Sequence, residues 1–128
     1  MPRELAQQID EEFRQVAKGT GLHGALLIGG AGMGAQLRDL RQKPQIVIGT
    51  PGRIKDHLER GTLDLSKFDT AVLDEVDRML DMGFVDDVRS ILQQLKSERQ
   101  SFFFSATMER KVHDLIHTFS NDPIMISV

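Results

Sequence analysis

The stretch TAVLDEVDRMLDMGF, residues 70–84, joins a short apolar run to three closely spaced acidic residues, Asp74, Glu75 and Asp77. TAVLDE has the composition of a strand. Successive strand residues point to opposite faces of a sheet, so one of the first two acids would face the interior unless the strand ends there and both project into a cleft. A buried carboxylate costs several kcal/mol unless it is paired or bound to a metal. The stretch therefore favours a cation, Mg²⁺ carried by a nucleotide phosphate, over a solvated strand end.

The rest of the chain alternates strands with helices. Apolar residues at helical spacing predict helices in RELAQQIDEEFRQVAKGTG, beginning at residue 2 or 3, in MGAQLRDLRQK, in PGRIKDHLERG, from Val85 to Leu95 and from Val112 to Phe119. The predicted strands are ALLIGG, PQIVIGT, TAVLDE, SFFFSA and the closing PIMISV, and a turn connects TAVLDE to the helix after it. Unbroken apolar strands suit a parallel sheet covered by helices on both faces. We expect one α/β domain over residues 1–128.

Composition limits the classes of function. The 128 residues carry a net charge of −3, so no overall positive field draws the chain to nucleic acid, and any such contact must be local. The sequence has no cysteine, which excludes disulfides and thiolate metal sites and fits a reducing compartment. No stretch approaches the ~20 apolar residues of a membrane span, and MPRELAQQ is too polar for a signal peptide. We expect a cytoplasmic protein with no membrane partner.

Further candidate residues follow the other predicted strands, where ligands bind in open α/β sheets. Gly29 and Gly30 follow ALLI, and they serve either to turn the chain or to let a ligand approach the backbone. The TPGR segment, residues 50–53, is a good helix start, with Thr50 placed to cap the helix and proline at its first position. Free N–H groups at a helix start and the Arg53 guanidinium also suit a phosphate.

Two interpretations stay open for Ser105 and Thr107, which follow the fourth strand: they cap the last helix, or they belong to a site at the sheet edge. Two other kinds of site are disfavoured. A dinucleotide site at GGAGMG lacks the acidic residue expected ~20 positions further on. His113 and His117 lie one helical turn apart but have no apparent third ligand for zinc, so a solvated pair is favoured.

Taken together and in this order, these motifs resemble the first RecA-like domain of DEAD-box RNA helicases. RELAQQI resembles the remainder of motif Ia, and GG at 29 and 30 resembles the glycine pair of the family. TPGR is similar to motif Ib, DEVD at 74–77 to motif II, and SAT at 105–107 to motif III. DRMLDMGF is also similar to the family. The resemblance covers essentially the whole chain, and five ordered motifs are specific where each alone is weak.

The resemblance implies a role for each motif residue. Asp74 would hold Mg²⁺ through water, and Glu75 would orient or deprotonate the attacking water during ATP hydrolysis. Asp77 would couple to Ser105 and Thr107 and so link the nucleotide state to the grip on RNA. The residues implied to line the path of the RNA backbone, which needs no sequence readout, are Arg3, Gly29, Gly30, Thr50, Gly52 and Arg53.

The chain also departs from the family pattern. Val76 replaces an alanine of motif II, and Met1-Pro2 stands where the family usually has Pro-Thr. A chain of this class normally opens with a strand, whereas this one opens in a helix. The adenine-reading glutamine motif, the Walker A loop and the second RecA-like domain of complete members are not among these 128 residues. The expectation is therefore a partial N-terminal RecA-like helicase domain over residues 1–128, truncated at motif Ia and lacking the Walker A strand.

Several expectations about activity follow from these departures. The complete family uses Mg²⁺ and ATP, but this chain alone is expected to bind neither and to have no ATPase activity. Weak binding to the backbone of single-stranded or duplex RNA is expected. Exposed sheet edges would allow two chains to associate as a homo-oligomer. The alternative is a non-catalytic module that binds RNA or another protein.

Overall fold

The computed structural model describes residues 2–127, and these residues divide into two compact units. Unit one ends at Asp64, and unit two begins at Leu65. Each unit contains a two-stranded parallel sheet and its own helices. The α/β class with parallel strands, predicted from the alternating pattern, is confirmed.

Unit one contains three helices and two strands. They are α1 (Pro2–Ala17), β1 (Gly24–Leu27), α2 (Met33–Arg41), β2 (Ile46–Gly49) and α3 (Pro51–Arg60). The strands pair in parallel from Gly24 opposite Ile46 to Leu27 opposite Gly49. Parallel pairing requires a crossover connection, and α2 supplies it. Proline stands at the first position of α1 and of α3, where its missing N–H costs no helical hydrogen bond.

One core cluster of unit one lies where α1 packs on the sheet. It is formed by Ala6, Ile28 and Ile48, with Phe13, Leu26 and Ile46 packed against them. Two glycines allow the close packing. A β-carbon at Gly24 would collide with the ring of Phe13, and one at Gly49 would collide with the carbonyl oxygen of Leu27 on the paired strand.

Unit two contains two strands and three helices. They are β3 (Thr70–Leu73), α4 (Val76–Asp81), α5 (Val85–Gln94), β4 (Gln100–Phe103) and α6 (Arg110–Phe119). The strands pair in parallel from Thr70 opposite Gln100 to Leu73 opposite Phe103. The core consists of apolar residues from the three helices: Val76, Met79, Leu80, Val88, Leu92, Val112, Leu115 and Ile116.

Two elements differ from the sequence-based expectations. A turn was predicted after TAVLDE, but helix α4 begins there, because Val76, Met79 and Leu80 lie at helical spacing and are buried. The closing strand predicted in PIMISV does not form over residues 123–127, and Val128 lies outside the described residues. Ile124 and Ile126 are 89% and 87% exposed. A β-branched segment becomes a strand only when a neighbouring strand satisfies its backbone groups.

None of the helices in residues 2–127 combines the length and the apolar character required to cross a membrane.

Candidate functional site

The acidic turn, residues 74–77, follows β3 immediately in unit two. Strand β3 ends at Leu73, so Asp74 and Glu75 lie beyond the last paired residue. The backbone bends sharply at Glu75, which has φ 53° and ψ 45°, in the left-handed region that non-glycine residues rarely occupy. The alternation of strand side chains therefore ends before these acids, and neither carboxylate has to enter the core. Asp74 is exposed, and the Glu75 side chain is 32% exposed.

Local hydrogen bonds hold this turn. The Glu75 amide donates to a carboxylate oxygen of Asp74 at 2.8 Å, and the Arg78 guanidinium donates to the Glu75 carboxylate at 3.2 Å. A left-handed non-glycine residue costs about 1–3 kcal/mol and persists only where the surrounding structure enforces it. Such conformations are concentrated at functional sites, so the turn is a candidate site on geometric grounds.

The Asp77 carboxylate connects the acidic turn to the SAT segment, residues 105–107. One carboxylate oxygen accepts from the Arg78 amide at 2.9 Å, and the other accepts from both the amide and the hydroxyl of Thr107 at 3.1 Å. The Ser105 hydroxyl accepts from the Asp77 amide at 3.2 Å and donates to the Thr107 carbonyl at 2.8 Å. The structure therefore brings together the three residues that the sequence analysis grouped.

These bonds change the acidity of Asp77. Burial of the carboxylate by itself raises its pKa, but the hydrogen bonds from the Arg78 amide and from the Thr107 hydroxyl and amide outweigh that effect. The net result is a pKa below the ordinary value of an aspartate. Asp77 is therefore held as a carboxylate in a nearly buried position.

The capping interpretation of Ser105 and Thr107 is wrong. Helix α6 begins at Arg110 with Glu109 at its N-cap position, and no side chain caps it. The hydroxyls of Ser105 and Thr107 are used instead in the contacts to the Asp77 region, which lies about thirty residues earlier in the chain.

In unit one, Arg3 lies beside Gly30, the second residue of the glycine pair Gly29 and Gly30. A β-carbon at Gly30 would lie 2.5 Å from a guanidinium nitrogen of Arg3, so no larger residue fits there while the arginine keeps its place. Gly30 also has φ 78°, a backbone conformation that favours glycine, so the prediction that the pair turns the chain holds at this residue. Both glycines are exposed, and the bare backbone next to a cation suits an anionic group.

The TPGR segment, residues 50–53, starts helix α3. Thr50 occupies the N-cap position as predicted, but its hydroxyl makes no capping bond to the helix. Gly52 is exposed, and the Arg53 side chain is 19% exposed. The Arg53 guanidinium donates to Oε1 of Gln36 at 3.3 Å and lies 3.9 Å from the Asp56 carboxylate.

Three buried polar residues were missed from the sequence: Asp10 in α1, Gln36 in α2 and His57 in α3. A search for apolar residues at helical spacing does not detect polar residues on the buried face of a helix, and none of these residues belongs to a recognised motif. Their spacing gave one usable signal: Gln36 and Leu40 share a face of α2, and Ile54 and His57 share a face of α3.

The carboxylates of the acidic turn fit Mg²⁺ in chemical type, but by themselves they supply only part of its ligands. Mg²⁺ uses one or two carboxylates together with water and substrate phosphates, and Asp74 and Glu75 offer such oxygens. Across residues 2–127, no group of three or more histidine, aspartate or glutamate side chains is arranged to hold a metal ion by itself. An ion at Asp74 would therefore depend on phosphate oxygens for its remaining ligands.

Comparisons with known proteins match nearly the whole chain. The family model described as DEAD/DEAH box helicase matches residues 2–115. The ATP-dependent RNA helicase DeaD of Escherichia coli (strain K12) is 48% identical over 122 residues, which are 94% of this chain and 19% of the relative. The ATP-dependent RNA helicase CshA of Listeria monocytogenes is 43% identical over 126 residues, which are 98% of this chain and 24% of the relative. The chain thus spans about a fifth to a quarter of these relatives.

Solved structures show the same likeness. A DEAD box protein from the hyperthermophile Methanococcus jannaschii superposes with a TM-score of 0.88 at 40% identity, over 95% of this chain and 34% of the other. A hypothetical ATP-dependent RNA helicase from Sulfolobus tokodaii gives a TM-score of 0.87 at 35% identity, over 94% of this chain and 36% of the other. The RecA-like fold expected from the resemblance is confirmed by these matches.

Proposed function

The chain belongs to the DEAD/DEAH box helicase family, and from that premise we propose that it carries part of the RNA-binding and ATP-hydrolysing machinery of an ATP-dependent RNA helicase. Its RNA-backbone contacts would lie in unit one and its nucleotide contacts in unit two. The partner is the sugar-phosphate backbone of single-stranded or duplex RNA, bound weakly, and the protein acts in the cytoplasm.

The observation that carries the RNA proposal is the Arg3 guanidinium beside the exposed backbone of Gly30, which directly follows the exposed Gly29. Backbone binding needs local cations and N–H groups and no base readout. Gly52 and Arg53 add a helix start and a second cation in the same unit, with Thr50 before them. A net charge of −3 is compatible with this arrangement because the positive charge is needed only locally.

On the nucleotide side, the proposal assigns Asp74 to Mg²⁺ through water and Glu75 to the attacking water. Bound Mg²⁺ neutralises charge on the β and γ phosphates. Asp77, Ser105 and Thr107 would couple the nucleotide state to RNA binding, and their mutual hydrogen bonds support this role. The 128 residues include no Walker A loop, so the chain by itself is expected to bind no nucleotide productively.

Titration of a fluorescein-labelled single-stranded RNA by anisotropy tests the RNA proposal. Arg53→Ala should weaken binding at low salt, and the slope of log K against log salt should fall by roughly one because one phosphate contact is lost. Arg60→Ala is the matched control, since Arg60 lies at the other end of α3 and pairs with Asp56. Equal losses in both variants, or no binding by the unmodified chain, would contradict the proposed RNA path.

A second candidate function, docking through the sheet of unit two, has its own observation. Val72 and Phe102 are partners in the β3–β4 register and are 63% and 41% exposed, and Phe104 is 54% exposed. Exposed apolar side chains on paired strands favour association.

We propose a second copy of the chain as the partner, which light scattering can test. The expected result is a mass above that of the monomer at micromolar concentration, reduced in Phe102→Thr. The control is Phe68→Thr, which changes a partly buried phenylalanine of the same unit outside the strands. A stable monomer across that range would contradict self-association.

A further inference from the structure

A buried polar cluster in unit one joins α2 to α3. Gln36 is 2% exposed and His57 is fully buried, at 0%. Burying an amide and an imidazole is unfavourable unless their polar atoms are hydrogen-bonded. Both polar atoms of the Gln36 amide and both ring nitrogens of His57 have partners here. The sequence-derived motifs did not include either residue.

The amide nitrogen of the Gln36 side chain has one hydrogen-bond partner, and its amide oxygen has two. Its Nε2 donates to the carbonyl oxygen of Ile28 at 2.8 Å, immediately before the glycine pair. Its Oε1 accepts from the Arg53 guanidinium at 3.3 Å and from Nε2 of His57 at 2.9 Å. Because the anchoring atom faces a carbonyl, it must be the amide nitrogen, and the oxygen therefore faces the two donors.

This arrangement determines the form of His57. Since Oε1 of Gln36 has no proton to give, Nε2 of His57 must carry one. Nδ1 lies 2.7 Å from the Thr62 hydroxyl, whose single proton can go either to Nδ1 or to the His57 carbonyl oxygen at 3.1 Å. That carbonyl already accepts from the amides of Thr62 and Leu63, so donation to Nδ1 leaves no polar atom of the neutral imidazole without a partner. Burial lowers the pKa of His57, the Asp56 carboxylate opposes this effect, and the Arg53 and Arg60 guanidinium groups add to it.

We propose that Gln36 is a positioning residue for Arg53: anchored on the Ile28 carbonyl and oriented by neutral His57, its amide oxygen holds the Arg53 guanidinium in place for the RNA backbone. The inference rests on the proposed function of Arg53. It adds that the cation is held in place before RNA arrives, so its side-chain freedom is not lost on binding. Arg53 is the only member of this cluster that the sequence analysis placed on the RNA path.

A double-mutant cycle tests the proposal on the full 128-residue chain with labelled single-stranded RNA. Gln36→Met keeps the shape of the side chain and removes its hydrogen bonds. It should weaken RNA binding roughly 5-fold in the unmodified chain, within the range expected for the loss of one hydrogen bond. In the Arg53→Ala background the same change should have less than about a 2-fold effect, because the residue it positions is gone.

The control is Gln42→Met, at the exposed end of α2, which should leave binding unchanged. A merely structural role for Gln36 predicts equal effects in both backgrounds, and that outcome would overturn the proposal. If Arg53→Ala itself leaves binding intact, the proposed RNA path fails instead. The two failures are therefore distinguishable.

Two measurements decide the case if Gln36→Met does not fold. In ¹⁵N spectra of the unmodified chain, His57 should show the neutral Nε2–H tautomer at neutral pH. The Nδ1–H tautomer would refute the orientation of Gln36. His57→Gln, which retains a side-chain N–H donor, should bind RNA within about 2-fold of the unmodified chain, whereas His57→Phe should match Gln36→Met. Equal binding by the two His57 variants would overturn the proposal.

Discussion

At the scale of single residues, Asp77 shows how one carboxylate is stabilised by its surroundings. It is nearly buried, and it accepts from the Arg78 amide and from two donors of Thr107. Hydrogen bonds to the charged form outweigh burial, and the pKa is lowered. The family resemblance named Asp77, Ser105 and Thr107 as a group, and the structure supplies the atoms that join them.

The lowered pKa of Asp77 predicts a pH dependence of stability. The pKa is lower in the folded chain than the ~3.9 of an unfolded aspartate, so the charged form stabilises the fold above that value. This stabilisation is lost as the pH falls through the folded pKa. Asp77→Asn should therefore be less stable than the unmodified chain at pH 7, and the difference should shrink below about pH 4.

Urea unfolding at pH values from 7 down to 3 measures this difference. Asp86→Asn, an exposed carboxylate of the same unit, serves as the control. A difference between Asp77→Asn and the unmodified chain that stays constant at the lowest pH would show that the charge of Asp77 contributes nothing to stability.

At the scale of elements, the β1–β2 pair depends on a close approach at Gly49. This residue lies opposite Leu27 in the parallel register, and a β-carbon would collide with the Leu27 carbonyl oxygen and approach the Ile54 side chain to 3.0 Å. The Thr50 amide also donates to that carbonyl at 3.1 Å, so the carbonyl cannot move without breaking this bond. The strand end that precedes the TPGR segment thus requires glycine.

Gly49→Ala should destabilise the chain by about 1–3 kcal/mol, because the atom nearest to the added methyl group is a backbone oxygen that is held in place. Denaturant unfolding at neutral pH measures the loss. Gly34→Ala is the matched control, since Gly34 lies in α2 with open space where its β-carbon would be. That change should be neutral or stabilise the helix by up to roughly 1 kcal/mol. Equal stabilities of the two variants would contradict the packing argument.

The elements also show where local patterns succeed and fail. Helix α1 and strand β1 were predictable because their apolar spacing is a property of consecutive residues. Helix α4 was missed because six residues hold too little periodicity to distinguish a helix from a turn. PIMISV was predicted as a strand from composition, but strand formation also needs a neighbour to pair with.

At the scale of the whole molecule, the predicted RNA-binding residues all lie in unit one, and the motif II and motif III residues all lie in unit two. The sequence includes no G-x-x-x-x-G-K-[ST] segment to hold the β and γ phosphates. Under the proposed function, Asp74 and Glu75 would supply carboxylates for an ion, but these 128 residues contain no Walker A sequence to bind the phosphates.

The chain by itself should therefore show negligible ATPase activity with Mg²⁺ and RNA present. A phosphate-release assay measures it, with Glu75→Gln as the comparison. The two should give the same background rate. Ordinary turnover that Glu75→Gln abolishes would show that these residues hold and hydrolyse ATP without a Walker A loop.

The sequence by itself determined the α/β class, the family and the order of the helices and strands other than α4 and the closing segment, because periodicity, helix-start residues and ordered motifs are properties of neighbouring positions. Tertiary structure decided which side chains meet: Asp77 with Thr107 thirty positions away, and Gln36 with Arg53 seventeen positions away. Such contacts depend on how whole helices and strands pack. The sequence does not distinguish a buried glutamine or histidine from an exposed one. The physical reason is that hydrogen-bond partners are chosen by distance in space, which local sequence patterns do not encode.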